Sequence, residues 1–474
     1  MTSSITLTLI DGVKVVVPNS IDLITPYVLF EQQDWFEDEI KFLRHLLKPG
    51  QKIIDIGANY GVYTLTMANS IGSTGCVWAF EPASSTAKFL AEGIAANEFT
   101  QVILEQSALS NTRGTAQLSL NNNSELNALI HDDSSTNPSE TVNLTTLDEC
   151  MDRYGWQDIA FIKIDAEGEE ANILKGGERF FAEQSPLVQY EIRAGADLHF
   201  ELTRDFAALG YDSYQLVPGL NLLIPFETTS EPDEYLLNLF CCKRDCAERL
   251  ITQGILVDPV ACIPINKTEL IKVLSKKGKN LNAYDWQHTI AKLPYGKQLA
   301  LFWKQTMRIT SNAKASEALL YYSLSQDATL PSVNRFSALK TSFDLLKGLC
   351  EQDTSQMLWA SLARVARDYG ARSLAIDALT RLRNIIQQQG QIDLSLPFLA
   401  PCNRFDTISP GEIIGDWVFA AVLEELERLC DFSSFYSGLS TRPQLEAIQT
   451  LGFGGAEMAR RLHLLQMRFN LPSP

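Results

Sequence analysis

Between residue 51 and about residue 249, short apolar runs alternate with stretches of helical periodicity, and this alternation constrains the fold more than any other feature of the chain. The runs are KIIDI (52–56), CVWAF (76–80), QVILE (101–105), FIKID (161–165), LVQYEI (187–192) and LNLFCCK (237–243). Amphipathic stretches such as SSTAKFLAEGIAANEF (84–99) lie between the early ones. Strand, helix, strand, helix predicts a parallel sheet covered on both faces. The stretch 114–147 breaks the rhythm and reads as an inserted hairpin or loop. Ahead of the sheet, MTSSITLTLIDGVKVVVP alternates like a strand, and EQQDWFEDEIKFLRHLLKPG reads as a helix whose apolar face holds Phe36, Ile40, Leu43 and Leu47.

The first strand runs into IIDIGANYGVY, residues 53–63. Gly57 and Gly61 remove side chains where the backbone turns towards a helix, so a ligand can approach the main chain. A dinucleotide-binding turn needs Gly-x-Gly-x-x-Gly, and here Asp55 stands where the first glycine should be. A carboxylate at that point repels a diphosphate and suits a ligand with positive charge. S-adenosylmethionine carries an ammonium and a sulfonium and no phosphate. Nearly twenty residues on, VWAFEP ends the second strand at Glu81, where an acid can accept both hydroxyls of an adenosine ribose. After the third strand, EQSALS places Ser107 and Ala108 where an adenine ring would lie.

FIKIDAEGEEANILKGG, residues 161–177, is the second informative block. Lys163 and Asp165 share a strand face, roughly 6–7 Å apart along the strand, so the cation favours an ionised Asp165. Glu167 and Gly168 are expected to open the next helix, whose dipole accounts for Glu169 and Glu170. It does not account for Asp165, at a strand's carboxyl end where open sheets bind ligands. QYEIR places Glu191 at the equivalent point of the following strand. Two carboxylates at neighbouring strand tips suit a hard divalent cation, Mg²⁺ or a similar ion, or a general base. His199, in RAGADLHFELTRD, is a further candidate base, weighed against an ordinary surface histidine at a helix start.

After about residue 255 strand signals fade and helical periodicity takes over. No repeat of fixed period recurs, so a plain α-helical domain is expected in place of a helical-repeat solenoid. The expected organisation is an N-terminal strand and helix segment packing on the catalytic domain (1–50), a ligand-binding α/β domain (51–250), a linker (251–266) and a helical domain (267–474).

Charge divides along the same line. The chain carries −17 overall; residues 1–240 hold 13 basic and 35 acidic side chains, and residues 241–474 hold 27 and 22. The acidic half argues against a nucleic-acid substrate. No apolar run is long enough to span a membrane, and the start lacks a signal-peptide pattern. Nine cysteines at irregular spacing suggest reduced thiols and a cytoplasmic protein. Cys241, Cys242 and Cys246 have no second metal-binding cluster and read as buried thiols.

PGQKIIDIGANYGVYTL, AFEP, AANEFTQVILEQSALSN, TTLDEC, FIKIDAEGEEANILKGG and LVQYEI, in that order, resemble the FkbM-type methyltransferases, S-adenosylmethionine-dependent enzymes that mostly methylate oxygen. The resemblance runs from about Trp35 to about Cys242. It implies a doubly wound, seven-stranded Rossmann-like sheet with an antiparallel last strand, for which LNLFCCK is the candidate. It implies that Asp55, Gly57, Asn59 and Gly61 cradle the methionine end, that Glu81 holds the ribose, and that Asp165 and Glu167 face the reacting methyl. The family pattern often has Val at Ala166 and His at Glu169. The acceptor it implies is a hydroxyl on a sugar, a glycolipid or glycan, or a secondary metabolite. The alternative is a methyltransferase-like scaffold that has lost catalysis and acts through its helical half. That half is expected to recognise the acceptor's carrier or to make a homo-oligomer.

Overall fold

A computed structural model of the protein describes residues 3–130, 138–194, 197–198, 200–227, 231–258, 267–309, 313–352 and 355–471. The chain divides into two units: Met1–Leu216 with Pro225–Thr228 and Leu236–Gln253, and Val217–Ile224 with Thr229–Tyr235 and Gly254–Pro474.

The main sheet has eight strands in the order Leu222–Pro225, Asp212–Val217, Asn238–Cys242, Leu187–Glu191, Ile159–Ile164, Lys52–Ile56, Cys76–Phe80 and Val102–Glu105. Leu222–Pro225 falls mainly in the second unit, leaving seven strands for the first. Five of the seven are parallel neighbours, from Val102–Glu105 through to Leu187–Glu191. Asn238–Cys242 runs antiparallel to Leu187–Glu191 on one side and to Asp212–Val217 on the other. This is the doubly wound sheet expected from the sequence, and LNLFCCK supplies its antiparallel strand. The strand interiors are β-rich apolar runs because helices cover both faces: Ile53, Ile54, Val77, Ala79, Ile162, Val188, Leu239 and Phe240 are all sealed from solvent.

Parallel alignment carries the carboxyl ends of Lys52–Ile56, Cys76–Phe80, Val102–Glu105, Ile159–Ile164 and Leu187–Glu191 to one edge. Gly57, Glu81, Ser107 and Asp165 lie just beyond those ends, and Glu191 is the last residue of its strand.

The N-terminal segment departs from expectation. Residues 4–18 form a hairpin, Ser4–Thr8 paired with Lys14–Pro18. In place of one helix over 31–50 there are two, Ile24–Gln32 and Asp38–Leu46. Gln33, at φ 58, ends the first. Asp34 then accepts the Trp35 N–H at 2.9 Å and grips the Arg44 guanidinium at 2.7 and 2.8 Å. That pinned turn leaves Phe36 outside either helix, whereas Ile40 and Leu43 are fully buried as expected.

The insertion is a small sheet of its own, ordered Ala108–Leu109, Ser139–Thr145, Gly114–Ser119, Ala128–Leu129. Its short 3-10 turn, Ser124–Leu126, reaches the first helix of the chain. Asn123 Oδ1 accepts Ile24 N–H at 3.0 Å and Glu125 accepts Thr25 N–H at 3.2 Å. The Ile24–Gln32 helix has no capping side chain of its own, so residues a hundred positions away satisfy its free N–H groups.

In the second unit, successive helices Ala313–Ser325, Ser332–Gln352, Gln356–Tyr369, Arg372–Gln389 and Ile414–Cys430 pack each on the next. Their shared core includes Trp303, Trp417, Tyr295 and Phe398, and takes in Val217, Leu220, Leu222 and Val257. Burial of Val217, Leu220 and Leu222 in that core explains why Val217–Ile224 belongs to this unit. Residues 259–266 of the expected linker lie outside the described residues.

Candidate active site

Gly57 is where backbone geometry sets the site. Its φ is +77, and a Cβ there would stand 1.7 Å from the Asp165 carbonyl oxygen. The Gly57 and Ala58 N–H groups both donate to Phe80 O, at 3.1 and 3.0 Å, and Asp165 N–H donates to Ile56 O at 3.2 Å. Three strand ends are thereby tied together with only glycine's volume between two of them. Asn59 follows in the left-handed region at φ 49.

Asp55, two residues before Gly57, is completely buried. Its Oδ2 accepts from Thr64 Oγ1 at 2.5 Å, and its Oδ1 has no hydrogen-bond partner among the described residues. Burial raises its pKa, against the pull of Lys163 and Thr64. Glu81 is 6% exposed. Its two oxygens accept Asn59 N–H at 2.9 Å and Ala83 N–H at 2.8 Å, and burial outweighs those bonds, pushing the carboxyl up to about 7. Each oxygen keeps a lone pair for a second donor. Ser107 Oγ is buried without a partner among the described residues, and Ala108 begins the first strand of the insertion.

Lys163 sits in the middle of the sheet, register-paired with Asp55 on one side and Gln189 on the other. Side chains in register on neighbouring strands share a face, so a buried polar row crosses three strands. Lys163 is 4% exposed. Its Nζ lies 2.6 Å from Asp165 Oδ2 and 4.9 Å from the centre of the Tyr63 ring. Burial alone would lower its pKa, but Asp165 and Asp55 prevail and raise it, keeping the ammonium charged.

One layer above, Asp165, Glu167 and Glu191 bring one carboxylate oxygen each within 4.8 Å of one another. Glu191 is pushed up to about 9 by burial, then by Asp165, Glu167 and Glu37. Glu167 is pushed up to about 8 by burial and by Asp165. The structure thus joins Asp165 with Glu191 and adds Glu167 as a third carboxylate. Glu167 does not open a helix: it lies at φ 47 in a turn, and the helix begins at Glu170. Glu170 accepts Ala166 N–H at 3.0 Å and Gly168 N–H at 3.1 Å, bracing that turn. Glu169 is 2% exposed and accepts from Ser110 Oγ at 2.8 Å, so it is more than a dipole partner.

Glu37 was not singled out by sequence. It accepts from Tyr63 Oη and from Asn238 Nδ2, the latter at 3.4 Å, and burial raises its pKa. Asn238 is the register partner of Glu191, which is the one signal that could have pointed to it. Ser124, from the insertion, donates to Asn59 Oδ1 at 2.8 Å. His199 lies outside the described residues. Cys241, Cys242 and Cys246 are buried and unpaired.

Residues 55–213, the span holding Asp55, Gly57, Glu81, Ser107, Lys163, Asp165, Glu167 and Glu191, match the family model described as "Methyltransferase FkbM domain". This span is a methyltransferase FkbM domain. It covers the switch from Asp55 to the strand after Glu191 and stops short of the helical unit. The comparison with curated proteins returned no match. Among solved structures, the chain is similar to an FkbM methyltransferase from Methylobacillus flagellatus KT, with 15% identity, a TM-score of 0.28, and 40% of this chain and 43% of that one covered. A putative rRNA-methylase from Clostridium thermocellum has 10% identity and a TM-score of 0.28, over 44% of this chain and 95% of that one. An O-methyltransferase from Bacillus cereus, in complex with SAH, has 14% identity and a TM-score of 0.27, over 44% and 80%. The methyltransferase domain's fold stands on its own strand order and directions.

Proposed function

We propose that the protein is an S-adenosylmethionine-dependent O-methyltransferase acting on a hydroxyl of a sugar, a glycolipid or glycan, or a secondary metabolite. The observation that carries the cofactor is the buried pair Asp55 and Glu81 at neighbouring strand ends, one with an oxygen lacking a hydrogen-bond partner among the described residues and the other held by two backbone N–H groups. The residues present fit the group: Glu81 accepts a ribose diol, Ser107 offers a polar contact beside a base, and Asp55 favours a positive methionine end. The space left by Gly57 and Gly61 is taken by the Asp165 carbonyl and by Leu90, and not by a ligand as expected from the sequence. Bound S-adenosylmethionine would supply a methyl on a positively charged sulfur, already activated for transfer.

The chain's own work is then to orient the acceptor, exclude water and take a proton. Asp165 is fixed by Lys163 and by its N–H bond to Ile56, so its carboxylate has a defined direction at the edge of the cofactor cradle. Asp165 and Glu191, with Glu167 beside them, are the groups that would hold Mg²⁺ or another divalent cation and so lower the acceptor hydroxyl's pKa. Without such an ion, Asp165 or Glu191 accepts the proton directly, and His199 remains a candidate for that role. A cluster this acidic disfavours an anionic acceptor such as a nucleic-acid backbone. Nine cysteines at irregular spacing are what supports a reducing, cytoplasmic setting.

The test supplies methyl-labelled S-adenosylmethionine with a cell extract and reads retained and transferred label. Transferred label, lost in Asp165→Ala, supports the enzyme, and the product's mass gives the acceptor class. Turnover that survives chelation while Asp165→Ala abolishes it rules out the metal and leaves the direct base. Retained label that no extract fraction accepts supports the scaffold alternative instead.

A further inference from the structure

Charge in the second unit is concentrated in one stretch. Residues 267–309 hold nine lysines and arginines against two acids, in a chain whose overall charge is −17. Two helices fall in this stretch, Lys267–Lys276 and Pro294–Ile309, and both repeat one pattern. The longer helix buries Tyr295, Leu299 and Trp303 at 0–5% exposure against the unit's core. Its opposite face shows Leu301 at 75%, and Phe302, at 44%, flanks the buried stripe. Exposed Lys297 and Lys304 stand four residues before and three after Leu301, on the same face. This helix contains no acid. The shorter helix buries Leu270 and Leu274 and shows Ile271 at 45%, beside exposed Lys272 and Lys276. None of these four lysines has an ion-pair partner among the described residues.

Exposed large apolar side chains ringed by unpaired lysines, on a helix whose other face is already committed to a core, are the composition of a helix that lies in a membrane interface. A nucleic-acid face would need no exposed Leu or Ile, since phosphate contacts come from the basic groups. We propose that the outward face of Pro294–Ile309, aided by the lysines of Lys267–Lys276, docks on an anionic lipid surface. Leu301 enters the interface, with Phe302 at its margin, and the lysines meet lipid headgroups. The acidic methyltransferase domain would be repelled from the same surface, so the helical unit alone supplies the attachment.

The experiment sediments the full-length protein with phosphatidylcholine vesicles and with vesicles containing about 30% phosphatidylserine. Binding is expected to the second and not the first. Leu301→Glu with Phe302→Glu should lower partitioning about a hundredfold, roughly tenfold for each side chain withheld from the interface. Lys297→Gln with Lys304→Gln should lower it about 25-fold, fivefold for each lysine. Leu439→Glu, at an exposed site on another element, should leave it unchanged, and unaltered thermal unfolding will show that the exposed substitutions do not act through folding. Equal sedimentation with both vesicles, or none with either, overturns the proposal. So does binding that high salt abolishes but Leu301→Glu with Phe302→Glu leaves intact, or tighter binding to a duplex oligonucleotide than to the anionic vesicles.

Discussion

The ammonium of Lys163 reaches 2.6 Å from the carboxylate of Asp165, although the two residues stand two positions apart on one strand. The side chain folds along the strand to neutralise the next group on its face. It also serves Asp55, which is fully buried. Lys163→Met leaves Asp55 without its counter-charge in an environment that cannot hydrate it. Breaking such a buried pair costs about 3–5 kcal/mol. Asp165 is 37% exposed at its side chain and water takes up part of the loss, so about 2–3 kcal/mol is expected from denaturant unfolding of the variant.

Glu81 gives the site a pH dependence. Its carboxyl is held up to about 7, and only the ionised form can accept two ribose hydroxyls besides the Asn59 and Ala83 N–H groups. Lowering pH protonates it and removes an acceptor. Cofactor affinity should therefore be greatest above about pH 8 and fall towards tenfold per pH unit below 7. Calorimetric titration of S-adenosylmethionine from pH 5.5 to 8.5 measures this, and Glu81→Gln should flatten the profile.

Gly57→Ala should unfold the domain more readily than any surface change. The new Cβ meets the Asp165 carbonyl at 1.7 Å, and φ +77 disfavours alanine independently. Both effects displace the strand end that carries Asp165. A loss of about 3 kcal/mol is expected, or roughly 6–12 °C in melting temperature. A variant that melts with the parent protein would show that this turn is not as close as described.

The insertion's grip on the first helix is separable from the chemistry. Glu125→Ala removes the acceptor for Thr25 N–H and Thr25 Oγ1, and Asn123→Ala removes the one for Ile24 N–H. Each lost cap costs about 1 kcal/mol. Hydrogen exchange at residues 24–27 should quicken in both variants, while Arg113→Ala, far more exposed on the same insertion, leaves it unchanged.

How much of this was legible in the sequence follows from the range of the interactions. KIIDI and CVWAF are strands over the same residues as expected, because a buried parallel strand reads as an unbroken apolar run. LNLFCCK is a strand for the same reason. That Asp55, Gly57, Glu81, Asp165 and Glu191 lie near one sheet edge is legible because strand ends are visible in a sequence and converge there. Glu37 and Asn238 were missed because their partners, Tyr63 and Glu191, are fixed only by tertiary packing. The break at Gln33 was missed because helical periodicity continues through it; Asp34 and Arg44 set that turn by a contact ten residues apart. Glu167 was placed at a helix start because its neighbours favour one, and Gly168 with Glu170 makes it a turn instead.

The most direct test of the account is equilibrium binding of methyl-labelled S-adenosylmethionine to the protein and to Glu81→Gln and Asp55→Asn. One saturable site is expected, displaced by S-adenosylhomocysteine, and weakened about 10- to 100-fold by loss of the charged acceptor at Glu81. An absence of saturable binding, or binding that neither substitution alters, would contradict it.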